Sequence, residues 1–138
     1  MLVQIYEVTS AEEASALAKL GVDHIGVLVG MGEFPREQSI EATKVIFASV
    51  PSVSKGSALC LSADLNVIER VAISLRPAIL HLGASTGLLR PEHVVQLKTK
   101  FEWLCVARSI PVVDEESISV AQSYDGKADM LLLDSQAG

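Results

Sequence analysis

Aromatic side chains are scarce in this sequence: one tryptophan, two tyrosines and three phenylalanines among 138 residues. Since 49% of the residues are nonetheless hydrophobic, packing falls to small and branched aliphatics, as in layered α/β proteins. Basic runs are missing too. A net charge of −6 with no basic helix face argues against nucleic acid or anionic lipid as the main partner. The longest apolar runs, such as MLLL and VLV, are far too short to span a bilayer. The opening MLVQIYEVTS lacks a basic stretch followed by a long apolar one, so no secretory signal is expected. Only two cysteines occur, Cys60 and Cys105, both inside apolar strand-like stretches. They read as reduced thiols of a cytoplasmic protein, with a disulfide as the alternative. Three scattered histidines, His24, His81 and His93, do not make a metal-ligand set, and no metal or cofactor is expected.

What is present is a regular alternation. LVQIYEV (2–8) reads as a strand. Ser10 and Glu13 form a capping box for a helix with Ala14, Leu17 and Ala18 on one face and Gly21 at its stop. DHIGVLVG (23–30) reads as a strand buried on both faces; a polar loop follows, then a helix opened by Ser39 with Ala42, Val45 and Ile46 inward. SALCLS (57–62) is a strand, and Leu65, Ile68, Val71, Ala72 and Leu75 give a helical stripe. PAILHLG (77–83) is a strand, a helix begins at Pro91, and WLCVARS (103–109) is a strand. Asp114 caps a helix carrying Ile118 and Ala121, and DMLLLD (129–134) is a sixth strand. No linker interrupts the series, so residues 1–138 are expected to form one α/β domain.

Six strands with five intervening helices force parallel pairing with right-handed crossovers. A doubly wound open sheet suits the length; a TIM barrel needs eight strands and about 250 residues. The open sheet, however, lacks its chemistry. The turn after the first strand, VTSAEEAS, has no glycine and puts two glutamates where an anion would sit. GASTG (83–87) could form an anion-binding nest or be a plain loop.

Five segments, in order, carry a resemblance. QIYEVT (4–9), GVDHIGVLV (21–29), FPREQS (34–39), LHLGA (80–84) and ADMLLLDS (128–135) are similar to K-I-C-G-I-T, G-A-D-A-I-G-F-V-F, S-P-R-Y-V-S, V-Q-L-H-G and A-D-A-L-L-L-D-S. Those motifs belong to phosphoribosylanthranilate isomerase, a TIM-barrel enzyme of tryptophan biosynthesis, and the chain resembles its N-terminal three-quarters. The resemblance implies parallel (βα) repeats of a (β/α)8 barrel, incomplete here because the family's later phosphate-holding segments are not in the sequence. It also implies a phosphorylated small-molecule substrate and leaves room for a homodimer.

The family reaction is an Amadori rearrangement of an aminated ribose phosphate. It needs an acid at the ring oxygen and a base at the adjacent carbon. By the resemblance, Asp134 stands at the acid's position, where burial must lift its carboxyl above about 3.9; Leu132 and Met130 are expected to wall it. Tyr6 stands where the family has its base cysteine. A phenol near 10 is almost fully protonated at neutral pH, whereas a thiol near 8.5 is a few per cent thiolate. Glu7 replaces the family glycine, and strand alternation would turn it toward the helices. Cys60 reads as a buried structural thiol. Arg36 matches an arginine that holds the anthranilate end, a fork suited to a carboxylate. His81 aligns with the family glutamine and Gly83 with its histidine, so His81 faces the interior as a polar contact or alternative base. Arg36 and Asp134 favour an isomerase. Tyr6 favours the alternative, a non-catalytic relative that binds a phosphorylated metabolite or a protein partner.

Overall fold

The computed structural model describes residues 1–135, and the last three residues of the domain expected over 1–138 lie outside that range. Six strands alternate with five helices: β1 (Gln4–Ile5), α1 (Ala11–Lys19), β2 (His24–Leu28), α2 (Ile40–Ala48), β3 (Lys55–Cys60), α3 (Leu65–Leu75), β4 (Ile79–Leu82), α4 (Pro91–Lys100), β5 (Val106–Val112), α5 (Glu116–Tyr124) and β6 (Met130–Ser135). The strands form one parallel sheet in sequence order, β1-β2-β3-β4-β5-β6. A doubly wound sheet reverses its strand order at a switch point; this one never does. Sequential order is that of a TIM barrel.

Local chemistry fixes the helices. Ser10 Oγ accepts from the Glu13 amide at 3.1 Å, Glu13 Oε1 from the Thr9 amide at 3.1 Å, and Ser39 Oγ from the Ala42 amide at 3.1 Å. Asp64 and Asp114 cap the starts of α3 and α5 in the same manner, each Oδ1 accepting at 2.9 Å. Each such cap stabilises its helix by about 1 kcal/mol. Helix α3 buries Ile68, Val71 and Ala72 against Ala58, Cys60, Leu80 and Leu82 on the outer face of the sheet. The expected inward face of α2 needs correction: Val45 is exposed, and α2 buries Ile40, Thr43 and Ile46, while α5 buries Ser117 and Tyr124.

The sheet is curled, and one contact proves it. The Tyr6 hydroxyl, just past β1, lies 2.6 Å from His81 Nδ1 on β4. Three strand spacings in a flat sheet would separate them by roughly 14 Å, beyond a tyrosine's reach. The concave face carries Tyr6, Gly26, Ser57, His81, Ser109 and Leu132, and the convex face is sealed by the helices. Gly26 is needed there: a Cβ at that position would overlap the Tyr6 ring.

Two strands depart from expectation. β1 is only Gln4–Ile5 rather than 2–8, because Glu7 takes a positive φ of 61° and breaks the extended run; pairing resumes where the Val8 amide reaches Gly26 O at 3.0 Å. β5 runs Val106–Val112 rather than 103–109. Residues 101–104 form a turn, with the Leu104 amide on Phe101 O at 3.0 Å, and Trp103 lies under the Arg76 guanidinium at 4.2 Å. Cys105 therefore precedes the strand and is half-buried; both cysteines are free. Pro111 is tolerated in β5 because only β6 pairs with the strand there.

Arg108 on β5 is fully buried on the convex side. It donates to the carbonyls of Leu82 (2.8 Å), Ala84 (2.7 Å) and Leu89 (2.9 Å), and lies 5.0 Å from the centre of the Tyr124 ring. The Tyr124 hydroxyl donates to Leu89 O as well, at 2.5 Å. The two side chains pin the loop between β4 and α4, which forms one wall of the concave mouth. No helix among the described residues is long and apolar enough to cross a membrane.

Candidate functional site

At the C-terminal ends of the strands a cleft of about 620 Å³ opens, lined by Tyr6, Glu7, His81, Ser85, Ser109 and Asp134 among others. Barrel enzymes do their chemistry at this end. Of the residues singled out from the sequence, Tyr6, His81 and Asp134 share this cleft. Arg36 does not line it but joins its rim, with Nη1 2.9 Å from Glu7 Oε2. Glu7 corrects an expectation: it faces the mouth, not the helices, because its left-handed backbone reverses the alternation that holds in an extended strand. Asp134, expected to be walled by Leu132 and Met130, lies on the last described strand, where it is exposed among the described residues and Leu132 and Met130 are half-buried.

A hydrogen-bond chain crosses the concave face. Ser57 Oγ lies 2.7 Å from the Tyr6 hydroxyl, that hydroxyl 2.6 Å from His81 Nδ1, and His81 Nε2 2.6 Å from Ser109 Oγ. Neutral imidazole has one donor and one acceptor, so either tautomer closes the chain: Tyr6 donates to Nδ1 while Nε2–H donates to Ser109, or both directions reverse. Charge is excluded from it. Burial, reinforced by the Arg108 charge, pushes His81 down to about 4. Burial pushes the Tyr6 phenol up to about 12, against the opposing pull of its Ser57 hydrogen bond. Moving the Tyr6 proton onto His81 therefore costs on the order of 10 kcal/mol before the new ion pair's attraction. Tyr6 is a neutral hydrogen-bonding residue here.

Cys60 lies on the convex side, where burial, together with the negative Glu37, pushes its thiol up to about 12. It is structural. Among the described residues no cluster of histidine, cysteine or carboxylate side chains could hold a metal ion. Sequence reading passed over Ser57, Ser109 and Arg108. A lone arginine inside the apolar run WLCVARS was the available signal for the last; the serines carry none.

No protein-family model matches the chain. Curated proteins and solved structures do. Over 134 residues it is 30% identical to N-(5'-phosphoribosyl)anthranilate isomerase of Parvibaculum lavamentivorans, a match covering 97% of this chain and 60% of that protein. The chain resembles the N-terminal part of a phosphoribosylanthranilate isomerase. A second relative of the same name, from Rhodopseudomonas palustris, is 29% identical over 135 residues, covering 98% of this chain and 61% of the relative. The chain thus spans about three-fifths of the length of the curated relatives it matches. The isomerase structure from Pyrococcus furiosus superposes with a TM-score of 0.79 at 19% identity, covering 98% of this chain and 67% of that one. A phosphoribosylanthranilate isomerase bound to reduced 1-(o-carboxyphenylamino)-1-deoxyribulose 5-phosphate superposes at 0.77 with 20% identity, covering 99% and 66%. At such identities the structures speak for the fold: six strands and five helices of a TIM barrel.

Proposed function

We propose that this chain supplies the N-terminal part of a phosphoribosylanthranilate isomerase-type site, acting on an aminated ribose phosphate in tryptophan biosynthesis. The supporting observation is that one cleft at the C-terminal strand ends gathers Tyr6, just past β1, with His81 of β4 and Asp134 of β6. In this reading Asp134 protonates the ring oxygen as the furanose opens, and the carbon beside the resulting imine gives up its proton to a water molecule in the cleft to yield the amino-ketose. The carboxylate then recovers its proton from water, so the proton count closes. No cofactor is called on.

One observation favours a second reading, ligand binding without turnover. The Tyr6 hydroxyl is engaged by both Ser57 and His81 and stays protonated, so the position of the family base holds no base. Two assays on the intact protein separate the readings: growth of a tryptophan auxotroph lacking the isomerase, and calorimetric binding of reduced 1-(o-carboxyphenylamino)-1-deoxyribulose 5-phosphate. Growth supports the isomerase. Binding without growth, with growth restored by Tyr6→Cys, supports the second reading. Soluble protein that neither binds nor supports growth removes both.

A further inference from the structure

Hydrogens counted along the chain across the concave face do not come out even. Ser57, Tyr6, His81 and Ser109 are joined by three contacts of 2.6 to 2.7 Å, and with His81 neutral each of the four side chains carries one polar hydrogen. One hydrogen is left over, and the direction of the chain decides where. If every link donates from Ser109 toward Ser57, the surplus falls on the Ser57 hydroxyl. Ser57 is fully buried, and its hydroxyl has Tyr6 as its only hydrogen-bond partner among the described residues. A buried donor left without an acceptor costs about 1–3 kcal/mol. If every link donates from Ser57 toward Ser109, the surplus falls on Ser109, which is half-buried and lines the cleft. A third arrangement, with Tyr6 accepting from both neighbours, strands the phenol's own hydrogen. The second arrangement alone places the spare hydrogen at an open surface without disturbing Tyr6.

We infer that Ser109 is a ligand-binding residue of the cleft and a fixed donor: His81, held as the Nε2–H tautomer, donates to Ser109 Oγ, and the Ser109 hydroxyl gives its hydrogen to an oxygen of the ligand. The inference rests on the proposed ligand class and deepens it by naming the group that is met. No lysine or arginine lines the cleft, whereas the carboxylates of Glu7 and Asp134 do. The oxygen suited to this place is therefore uncharged, a hydroxyl of the sugar chain rather than the phosphate. Ser109 pairs with Leu132 in the sheet, one pleat deeper than Asp134. His81 is a positioning residue in this scheme. It is 2% exposed with both ring nitrogens engaged, so it acts on the ligand through Ser109. A hydroxyl that accepts one hydrogen bond is polarised into a better donor of the next.

Two measurements on the intact protein test this. NMR of the His81 ring nitrogens in neutral solution, without ligand, should find the hydrogen on Nε2 and none on Nδ1. Calorimetry then uses reduced 1-(o-carboxyphenylamino)-1-deoxyribulose 5-phosphate and its single-deoxy analogues, each lacking one hydroxyl of the sugar chain. Ser109→Ala should weaken binding of the parent probe about fivefold, the scale of one neutral hydrogen bond. Ser109→Thr, which keeps a hydroxyl, should restore most of that loss. One deoxy analogue should bind the native protein more weakly by the same factor and lose nothing further in Ser109→Ala, whereas a merely structural defect would weaken every probe alike. A hydrogen on Nδ1, an affinity untouched by Ser109→Ala, or a uniform loss across the probes overturns the inference and leaves the ligand class standing. Folded native protein that binds no probe overturns both.

Discussion

Lowering the pH from 8 to 4 asks the fold to accept a proton on a buried imidazole that it holds neutral. His81 is fully enclosed between Tyr6 and Ser109, and burial with the Arg108 charge pushes it down to about 4, from 6.5 when unfolded. The sign follows. Above about 6.5 neither state is protonated; between 6.5 and 4 the unfolded chain takes up a proton and the folded one does not, so stability falls with pH across that window and levels off below it. The size is roughly 2 kcal/mol at pH 5 and roughly 3 kcal/mol below pH 4. Lost hydrogen bonds are not the cause. An imidazolium could still donate to both Tyr6 and Ser109 if Tyr6 turned its proton to Ser57, so the penalty comes from burial and from Arg108.

Urea midpoints at pH 8, 6, 5 and 4 measure it, taken on the native protein and on His81→Gln. Glutamine can keep partners on both sides but has no proton to bind. Carboxylates contribute equally to both curves, so the difference between them isolates His81, and it should grow to roughly 3 kcal/mol at the acid end. Parallel curves, or an NMR titration placing folded His81 near 6.5, would refute the reasoning.

Gly26→Ala should destabilise the protein by about 1–3 kcal/mol in a urea titration, because the new methyl overlaps the Tyr6 ring and displaces it from Ser57 and His81. Arg108→Met leaves the carbonyls of Leu82, Ala84 and Leu89 with one donor fewer and should lower stability by about 2–4 kcal/mol; the same variant should raise the His81 titration point, read by NMR. With a thiol reagent at pH 8, Cys105 should be labelled in the folded protein while Cys60, enclosed and pushed up to about 12, is labelled only after unfolding; equal rates would contradict its burial.

The fold was legible because its signals are local and repeated. Caps at Ser10, Ser39 and Asp64, proline at residue 91 and strands of β-branched residues mark the (βα) alternation without help from tertiary contacts. Barrel order over open-sheet order came only from the resembling motifs, since length pointed the other way. The site was half legible. His81 could be assigned to the interior by counting alternation along β4, where the backbone is extended throughout. The same count failed at Glu7, where one left-handed residue reverses every assignment that assumes a strand. No pattern in VTSAEEAS announces that turn; it becomes visible only with Arg36, which supplies its partner from 29 residues away. Val45 was misread because an apolar residue on a short helix was taken as inward, although large hydrophobics commonly remain on the surface.

Two departures from the family pattern within this cleft, Tyr6 and His81, touch each other, which changes how each should be tested. The resemblance puts a cysteine at Tyr6 and a glutamine at His81; here the two side chains are 2.6 Å apart. Replacing Tyr6 by cysteine alone removes a ring seated on Gly26 and leaves His81 Nδ1 and Ser57 Oγ short of a partner, at about 2–4 kcal/mol. Replacing His81 by glutamine alone keeps a partner for Tyr6 and should cost about 1 kcal/mol. Once the tyrosine is gone, though, an amide that can turn toward Ser109 or Ser57 satisfies the cavity better than a rigid imidazole. The double variant should therefore be more stable than the sum of its parts by about 1 kcal/mol in a double-mutant cycle. Additivity within about 0.5 kcal/mol would mean that the hydroxyl–imidazole contact carries no coupling, and that the thiol can be restored to the cleft without regard to His81.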